Sequence, residues 1–80
     1  MKTIESLIYK KASDINQEYP ILEVYIDQLH EMIIDVEITR KRMLKINFYN
    51  FNDGFSLEIG LLKELITKAE EFYNHEVNNL

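Results

Sequence analysis

The side chains that could do chemistry here are two histidines, five tyrosines and 14 carboxylates, because the chain has no cysteine. His30 and Glu31 begin like the zinc helix motif in which two histidines four residues apart flank a glutamate, but Ile34 replaces the second histidine. His75 follows Glu71 by four residues, a spacing that suits a solvated histidine near a helix C-terminus better than a catalytic pair. We therefore predict no catalytic residues, no bound metal and no cofactor, and expect that the protein is not an enzyme.

The acidic residues are unevenly distributed. The sequence has 14 acidic and 9 basic residues, a formal net charge of -5. Half of the acidic residues fall between positions 12 and 39, where there is no Lys or Arg, and a basic group follows at positions 40 to 45. These acidic residues are Asp14, Glu18, Glu23, Asp27, Glu31, Asp35 and Glu37. One segment therefore supplies more than the whole net charge.

The spacing of these acids predicts a displayed surface and not a convergent site. Glu23, Asp27, Glu31 and Asp35 stand four residues apart, so on a helix they would form one ridge opposite an apolar stripe. On strands, most of these side chains would still point away from the core. A row of carboxylates can stand in for phosphates and compete for the Lys and Arg residues that bind nucleic acid. The alternative is a solvated face that only keeps the protein soluble.

Length and composition set the class of protein. A chain of 80 residues, 46% of them hydrophobic, supports one domain over residues 1–80 with one small core. No apolar run reaches the length of a membrane span, and the first residues contain no leader-like apolar stretch. We therefore expect a cytoplasmic protein that does not contact membranes.

Helical periodicity appears at both ends of the chain. Residues 4–19 carry apolar side chains three and four apart, which predicts an N-terminal helix that ends before Pro20. The same stripe recurs from residue 62 to residue 80 and predicts a C-terminal helix that starts near Gly60. Two helices are therefore expected to flank the middle of the chain.

The middle of the chain alternates as strands do. Residues 34–39, 44–49 and 55–59 predict three strands, with turns at 40–42 and 52–54, in a small antiparallel meander. Residues 21–33 fit either a helix or an additional strand, and the helix is preferred because no turn residue interrupts its second half. The fold class is α+β in either case.

The aromatic residues near position 50 suggest a second surface. Phe48 is expected in the core, while Tyr49 and Phe51 would point to the opposite side of the strand. If no helix covers that side, these two side chains form a secondary interface for a homodimer or a partner. The acidic surroundings argue against direct binding of nucleic acid by the aromatic and basic residues.

In size, acidity and layout the chain resembles small phage proteins that inhibit bacterial defence enzymes, in particular the type II anti-CRISPR proteins that imitate DNA. The resemblance is carried by the predicted helices, by Asn52-Asp53-Gly54 in a hairpin, by the acidic surface, and by Glu70-Glu71-Phe72-Tyr73-Asn74 in the C-terminal helix. It implies an inhibitor of a nucleic-acid-binding enzyme in the host cytoplasm, and it aligns no binding residues.

The leading hypothesis is a non-catalytic inhibitor that occupies a basic nucleic-acid-binding surface of a partner protein, with the acids of positions 14 to 37 as contacts. Two alternatives remain open. One is a homo-oligomeric structural or regulatory protein joined through Tyr49 and Phe51 or through the C-terminal helix, with the acids only keeping it soluble. The other is an immunity or antitoxin protein that neutralises a basic toxin through the same acids.

Overall fold

The computed structural model describes residues 2–13, 15–26, 31–49 and 54–78. The described part contains short strands followed by one long helix. In chain order these are β1 (Lys2–Ile4), β2 (Leu7–Ala12), β3 (Ile21–Ile26), β4 (Glu31–Ile38), β5 (Leu44–Phe48), β6 (Phe55–Leu57) and α1 (Ile59–Asn78). Within these residues, no helix has the length and apolarity that a membrane span requires.

The strands form two sheets. Strands β2, β3, β4 and β5 pair in that order as an antiparallel sheet, and each is joined to its neighbour along the chain. Strand β1 pairs with β6 in parallel, with Thr3 beside Ser56. The predicted α+β class is confirmed.

Cross-strand register assigns each side chain of the larger sheet to a face, because residues directly opposite each other point the same way. We call the side that packs on α1 the inner face and the opposite side the outer face. The inner face carries Leu7, Tyr9, Lys11, Leu22, Val24, Ile26, Glu31, Ile34, Val36, Ile38, Leu44, Ile46 and Phe48. The outer face carries Ile8, Lys10, Ala12, Ile21, Glu23, Tyr25, Met32, Asp35, Glu37, Lys45 and Asn47.

The core lies between α1 and the inner face. Leu65, in the first half of the helix, is fully buried in a cluster with Val24 and Ile34, and Ile4 of β1 joins the same cluster. Phe72, in the second half, packs in a neighbouring cluster. The other buried members of that second cluster are Tyr19, Leu22, Val36, Ile38 and Ala69. Burial of this apolar surface is the main source of stability in so small a protein.

Hydrogen bonds and one ion pair attach α1 to the sheet at its edges. The Tyr9 hydroxyl donates to Glu64 at 2.9 Å, and Lys11 Nζ lies 3.0 Å from Glu76 Oε2. The Tyr73 hydroxyl donates to the Arg42 carbonyl at 2.7 Å, so the helix also holds the turn between β4 and β5.

A bulge interrupts the pairing of β3 with β4. Val24 faces Ile34, whereas Tyr25 faces Met32, so Ile33 is an extra residue on β4. The Ile33 side chain is buried, and its carbonyl accepts a hydrogen bond from the Tyr49 amide. Because of this extra residue, Glu31 does not share the outer face with Asp35 and Glu37, although all three are separated by even numbers of residues.

The prediction of an N-terminal helix over residues 4–19 is wrong. This segment forms β1 and β2, with inner-face residues Leu7 and Tyr9 alternating with exposed Ile8 and Lys10. Apolar residues at both spacings fit either structure locally, and the pairing of β2 with β3 decides for the strand. The preferred helix for 21–33 is also wrong, because residues 21–26 form β3 and residues 31–33 begin β4, while residues 27–30 lie outside the described residues.

The predicted meander is correct in part. Strands β4 and β5 and the turn between them are confirmed, and Arg42 adopts the left-handed backbone with φ of 61°. The third predicted strand exists as β6 but pairs with β1 and not with β5. Of the predicted turn at 52–54, the first two residues lie outside the described residues, while Gly54 has φ of 83°, which glycine adopts readily.

Two further predictions concern the C-terminal helix and Phe48. The C-terminal helix is confirmed from Ile59 to Asn78, with Gly60 in its first turn. The prediction that Phe48 lies in the core is wrong, because this side chain is 61% exposed. Its strand is at the edge of the sheet, where only one side of the strand is covered.

Candidate functional site

Three carboxylates come together on the outer face, and we call Glu23, Asp35 and Glu37 the carboxylate cluster. Glu23 on β3 lies directly opposite Asp35 on β4. Glu37 follows Asp35 by two residues on the same strand, so its side chain leaves the same face of the sheet. Sheet register therefore groups residues that come from two separate strands.

Asp35 is the centre of the carboxylate cluster. Its side chain is only 6% exposed and accepts hydrogen bonds from two neighbours on the same face. Asn47 Nδ2 donates to Asp35 Oδ1 at 2.7 Å and to Glu37 Oε1 at 3.0 Å, and the Tyr49 hydroxyl donates to Asp35 Oδ2. Hydrogen bonds to a charged group are the stronger ones, so these donors fix the carboxylate in place.

Glu23 has its own donor. The Tyr25 hydroxyl donates to Glu23 Oε1 at 2.8 Å, and both side chains are half-buried. Tyr25 and Glu23 are two residues apart on one strand, so alternation alone brings them to the same face. Each carboxylate in the cluster is therefore oriented by a neutral donor on the outer face.

The cluster has more negative than positive charge. Among the ion pairs of the described residues, only that of Lys45 Nζ with Glu37 Oε1, at 3.7 Å, involves the cluster. Lys10 on β2 lies directly opposite Glu23 on β3, and the Lys10 side chain is exposed. Like charges directly opposite each other in a sheet reduce stability, so the pairing of Glu23 with Asp35 has an energetic cost.

The carboxylates change the acidity of the tyrosines that bind them. The hydrogen bond to Asp35, followed by burial and the negative charges of the cluster, raises the pKa of Tyr49 to about 12. The hydrogen bond to Glu23 raises the pKa of Tyr25 in the same direction. Both phenols therefore remain neutral donors well into the alkaline range.

The Tyr49→Phe variant is expected to lose less stability than the wild type when the pH is raised into the alkaline range. The folded pKa of Tyr49 lies above the ordinary value of 10.0, so its favourable contribution is complete below that pH and is lost as pH rises through about 12. Urea unfolding at about pH 9 and about pH 11.5 should show a smaller fall in the free energy of unfolding for the variant than for the wild type. An equal fall in both proteins would contradict the assignment of this hydrogen bond.

Apolar and aromatic side chains form a row across the outer face, on one side of the carboxylate cluster. Ile8 and Tyr49 are each 42% exposed, and Tyr25 and Met32 are half-buried on the same face. None of these four residues belongs to either core cluster, and no element among the described residues packs on the outer face. Among the described residues the outer face is thus uncovered, with an acidic cluster and a row of apolar and aromatic side chains beside it.

A depression adjoins the cluster at the end of β4. Its volume is about 250 Å³, and it lies between the loop before β3 and the turn after β4. The residues that line it are Asn16, Gln17, Glu18, Glu37, Ile38, Thr39 and Arg40. Glu37 therefore belongs both to the carboxylate cluster and to this depression, which brings Glu18 next to the candidate site.

The structure groups only some of the acids that the sequence singled out. Glu23, Asp35 and Glu37 form the cluster, and Glu18 is exposed beside it. Glu31 is exposed at the start of β4 opposite Ile26, an inner-face residue, so the predicted ridge of acids four apart does not form. Asp14, Asp27 and Phe51 lie outside the described residues.

Sequence reasoning missed the donors of the site. Tyr25 and Asn47 hold the carboxylates, and Lys45 pairs with one of them, yet none was predicted to take part. Strand alternation places Lys45 and Asn47 on the same face as Tyr49, so that signal was present. Recognising it required knowing which acids lie opposite β5.

The arrangement does not resemble a metal centre. Among the described residues, no group of three His, Asp or Glu side chains is placed to bind a metal ion. The carboxylates instead spread across neighbouring strands and accept hydrogen bonds from neutral donors.

Comparison with known proteins adds no functional assignment. The chain matches no protein-family model, no curated protein and no solved structure. The case for a function therefore rests on the residues of the outer face.

Proposed function

We propose that the protein is a non-catalytic inhibitor that uses the outer face to occupy a basic, nucleic-acid-binding surface of another protein, and that it acts in the cytoplasm. The observation that supports this most strongly is the carboxylate cluster, which is held in place by hydrogen bonds on a face that no described element covers. Ordered acceptors lose little conformational entropy when a partner binds.

The composition of the outer face suits a protein partner. Tyr and Met are enriched in protein interfaces relative to the rest of the protein surface. Tyr25, Met32 and Tyr49 supply them here, together with Ile8. Packed against a partner, this row would exclude water from one side of the carboxylates and strengthen their interactions with cations.

The charge of the face indicates a basic surface on the partner. The three carboxylates outnumber the two lysines beside them, Lys45 paired with Glu37 and Lys10 opposite Glu23, so Lys or Arg side chains of a partner would improve the charge balance. Nucleic-acid-binding surfaces present such side chains in rows that phosphates normally neutralise. The adjoining depression, lined by Glu18 and Glu37, adds acceptors for a further cation.

Competition with DNA tests this function. The full chain is immobilised and exposed to a bacterial extract, and bound proteins are eluted with duplex DNA at constant ionic strength. The proposal predicts that DNA releases nucleic-acid-binding proteins and that a modest rise in salt releases the same ones, because phosphates and carboxylates compete for the same cations. Proteins that only detergent releases, or that do not bind nucleic acid, would contradict it.

A further inference from the structure

No strand of the described residues pairs with the free edge of β5, the edge that faces away from β4. The Tyr49 amide donates to the Ile33 carbonyl, and the Thr39 amide donates to the Met43 carbonyl. Residues 43 and 49 therefore direct their backbone groups toward β4, and by alternation so do residues 45 and 47. The N–H and C=O groups of Leu44, Ile46 and Phe48 face the other way, where no described strand pairs with them.

Exposed apolar side chains flank this open edge. Met43 is 63% exposed and Phe48 is 61% exposed, and Tyr49 is 42% exposed on the outer face. The opposite edge of the sheet, β2, carries two adjacent lysines, Lys10 and Lys11, whereas β5 carries one, Lys45, and charged side chains discourage pairing between edge strands. With fewer charges and more exposed apolar side chains beside it, β5 is the edge that favours association.

We propose that two copies of this chain associate through antiparallel pairing of their β5 strands about a two-fold axis at Ile46. In this register Ile46 faces Ile46 of the second copy, and Leu44 faces Phe48 of the second copy. Every outward N–H and C=O group of the edge then has a partner, because 44, 46 and 48 are the residues that face away from β4. A two-fold axis makes the contact closed and self-complementary.

The same register matches side chains on both faces. On the inner side, exposed Phe48 covers Leu44 of the second copy, which is half-buried in one chain alone. On the outer side, Met43 lies opposite Tyr49 of the second copy. Each of the exposed apolar side chains beside β5 thus gains an apolar neighbour across the edge.

Charge complementarity also favours a second copy as the occupant. Lys45 lies opposite Asn47 of the second copy, and Asn47 is the residue that binds the carboxylates of Asp35 and Glu37. Each Lys45 therefore approaches the acidic centre of the other chain as well as its own. A different partner strand that has no basic residue opposite Asn47 would not bring a cation to the carboxylate cluster.

The association would extend the candidate site. Because the axis runs perpendicular to the sheet, both helices lie on one side and both outer faces on the other. The two β4 strands would be separated by three strand spacings, roughly 14 Å. The dimer would present two carboxylate clusters side by side, which permits bivalent binding to a repeated basic surface.

Phe48→Pro tests the pairing because it removes two contacts of the proposed interface, the outward N–H of residue 48 and the aromatic ring that covers Leu44 of the second copy. Proline removes the outward N–H of residue 48 and leaves the bonds to β4, which residues 45, 47 and 49 make. Sedimentation equilibrium of the full chain should show a dimer whose dissociation constant rises at least about tenfold in this variant, with an unchanged far-ultraviolet circular dichroism spectrum. A monomeric wild type at millimolar concentration, or a dimer that Phe48→Pro does not weaken, would overturn the proposal.

Ile8→Asp is the matched variant on the outer face. A dimer formed through the two outer faces would dissociate in Ile8→Asp, whereas the β5 dimer should be unaffected by it. Dissociation in Ile8→Asp together with no effect of Phe48→Pro would overturn the proposal in favour of the outer-face contact.

Disulfide formation tests the register without depending on the stability of Phe48→Pro. The chain has no cysteine of its own. A mixture of Lys45→Cys and Asn47→Cys proteins should form a mixed disulfide at least about tenfold faster than either protein alone, because residues 45 and 47 of the two copies lie directly opposite each other. Equal rates for all pairs would overturn the proposed register.

Discussion

Reversing two charges of the carboxylate cluster, in the double variant Glu23→Lys and Glu37→Lys, is expected to abolish binding to the basic partner. Both side chains are half-buried on the outer face, where lysines would meet the cations of the partner. Like charges placed together in an interface cost several kcal/mol, so affinity should fall at least about hundredfold. The measurement is the amount of DNA-elutable protein that the immobilised variant retains.

Asp35 is left unchanged in this experiment for a structural reason. Its buried carboxylate holds the Tyr49 hydroxyl and the Asn47 amide, so replacing it would leave two donors without their acceptor. Glu23 and Glu37 carry fewer such contacts. Loss of binding in the double variant can then be separated from loss of folding by its circular dichroism spectrum.

The double variant Glu70→Lys and Glu71→Lys is the control with the same change of net charge. Both residues are exposed on α1 and belong to neither the cluster nor the core. This protein should retain its partner nearly as well as the wild type. If both double variants lose binding equally, net charge governs the interaction and the outer face does not.

Leu65→Ala is expected to have the largest effect on stability. Leu65 is fully buried between α1 and the inner face, where it packs with Val24 and Ile34 and with Ile4 of the small sheet. Truncation of a buried leucine costs about 3 kcal/mol, which is close to the whole stability of a core this small. Urea unfolding followed by circular dichroism should show a variant that is largely unfolded without denaturant.

The neighbouring residue supplies the matched control. Ile66 is 44% exposed on the side of α1 away from the sheet, so Ile66→Ala removes little buried surface and gains helix propensity. Its free energy of unfolding should lie within about 1 kcal/mol of the wild type. Similar losses of unfolding free energy in Leu65→Ala and Ile66→Ala would contradict the packing of α1 on the sheet through the face that carries Leu65.

The sequence predicts an element correctly where its apolar residues follow one period, and the prediction fails where they fit both the helical and the strand period. Helix α1 and strand β5 have one pattern each and form close to the predicted bounds, while β4 forms over the predicted strand but begins three residues earlier, at Glu31. Residues 7–12 and 21–26 have apolar side chains that fit both periods, so local preference cannot decide between them. The decision comes from the pairing of β2, β3 and β4, which joins residues far apart along the chain.

The candidate site shows the same division. Alternation in the predicted strand places Asp35 and Glu37 on one face, and the strand alternative for 21–33 adds Glu23. The Ile33 bulge could not be predicted, and it is the reason that Glu31 leaves this group. The partners Tyr25, Asn47 and Lys45 follow only from register, which a single sequence does not specify.

Placement in strands also changes what the acidic segment offers a partner. A helical ridge would present fully solvated carboxylates in a line. The sheet instead presents three carboxylates side by side, one of them buried and all of them held by neighbouring donors or a lysine. Recognition would then depend on the shape of the outer face as well as on its charge.

The most direct measurement is a nuclear magnetic resonance titration of the labelled chain with an arginine-rich peptide, following the side-chain amide of Asn47. This amide donates to both Asp35 and Glu37, so its signal reports on the carboxylate cluster itself. We predict that the Asn47 side chain and the backbone of Glu23 and Asp35 shift first, and that added salt reverses the shifts. Shifts confined to the exposed acids of α1, with the Asn47 amide unmoved, would contradict a binding site on the outer face.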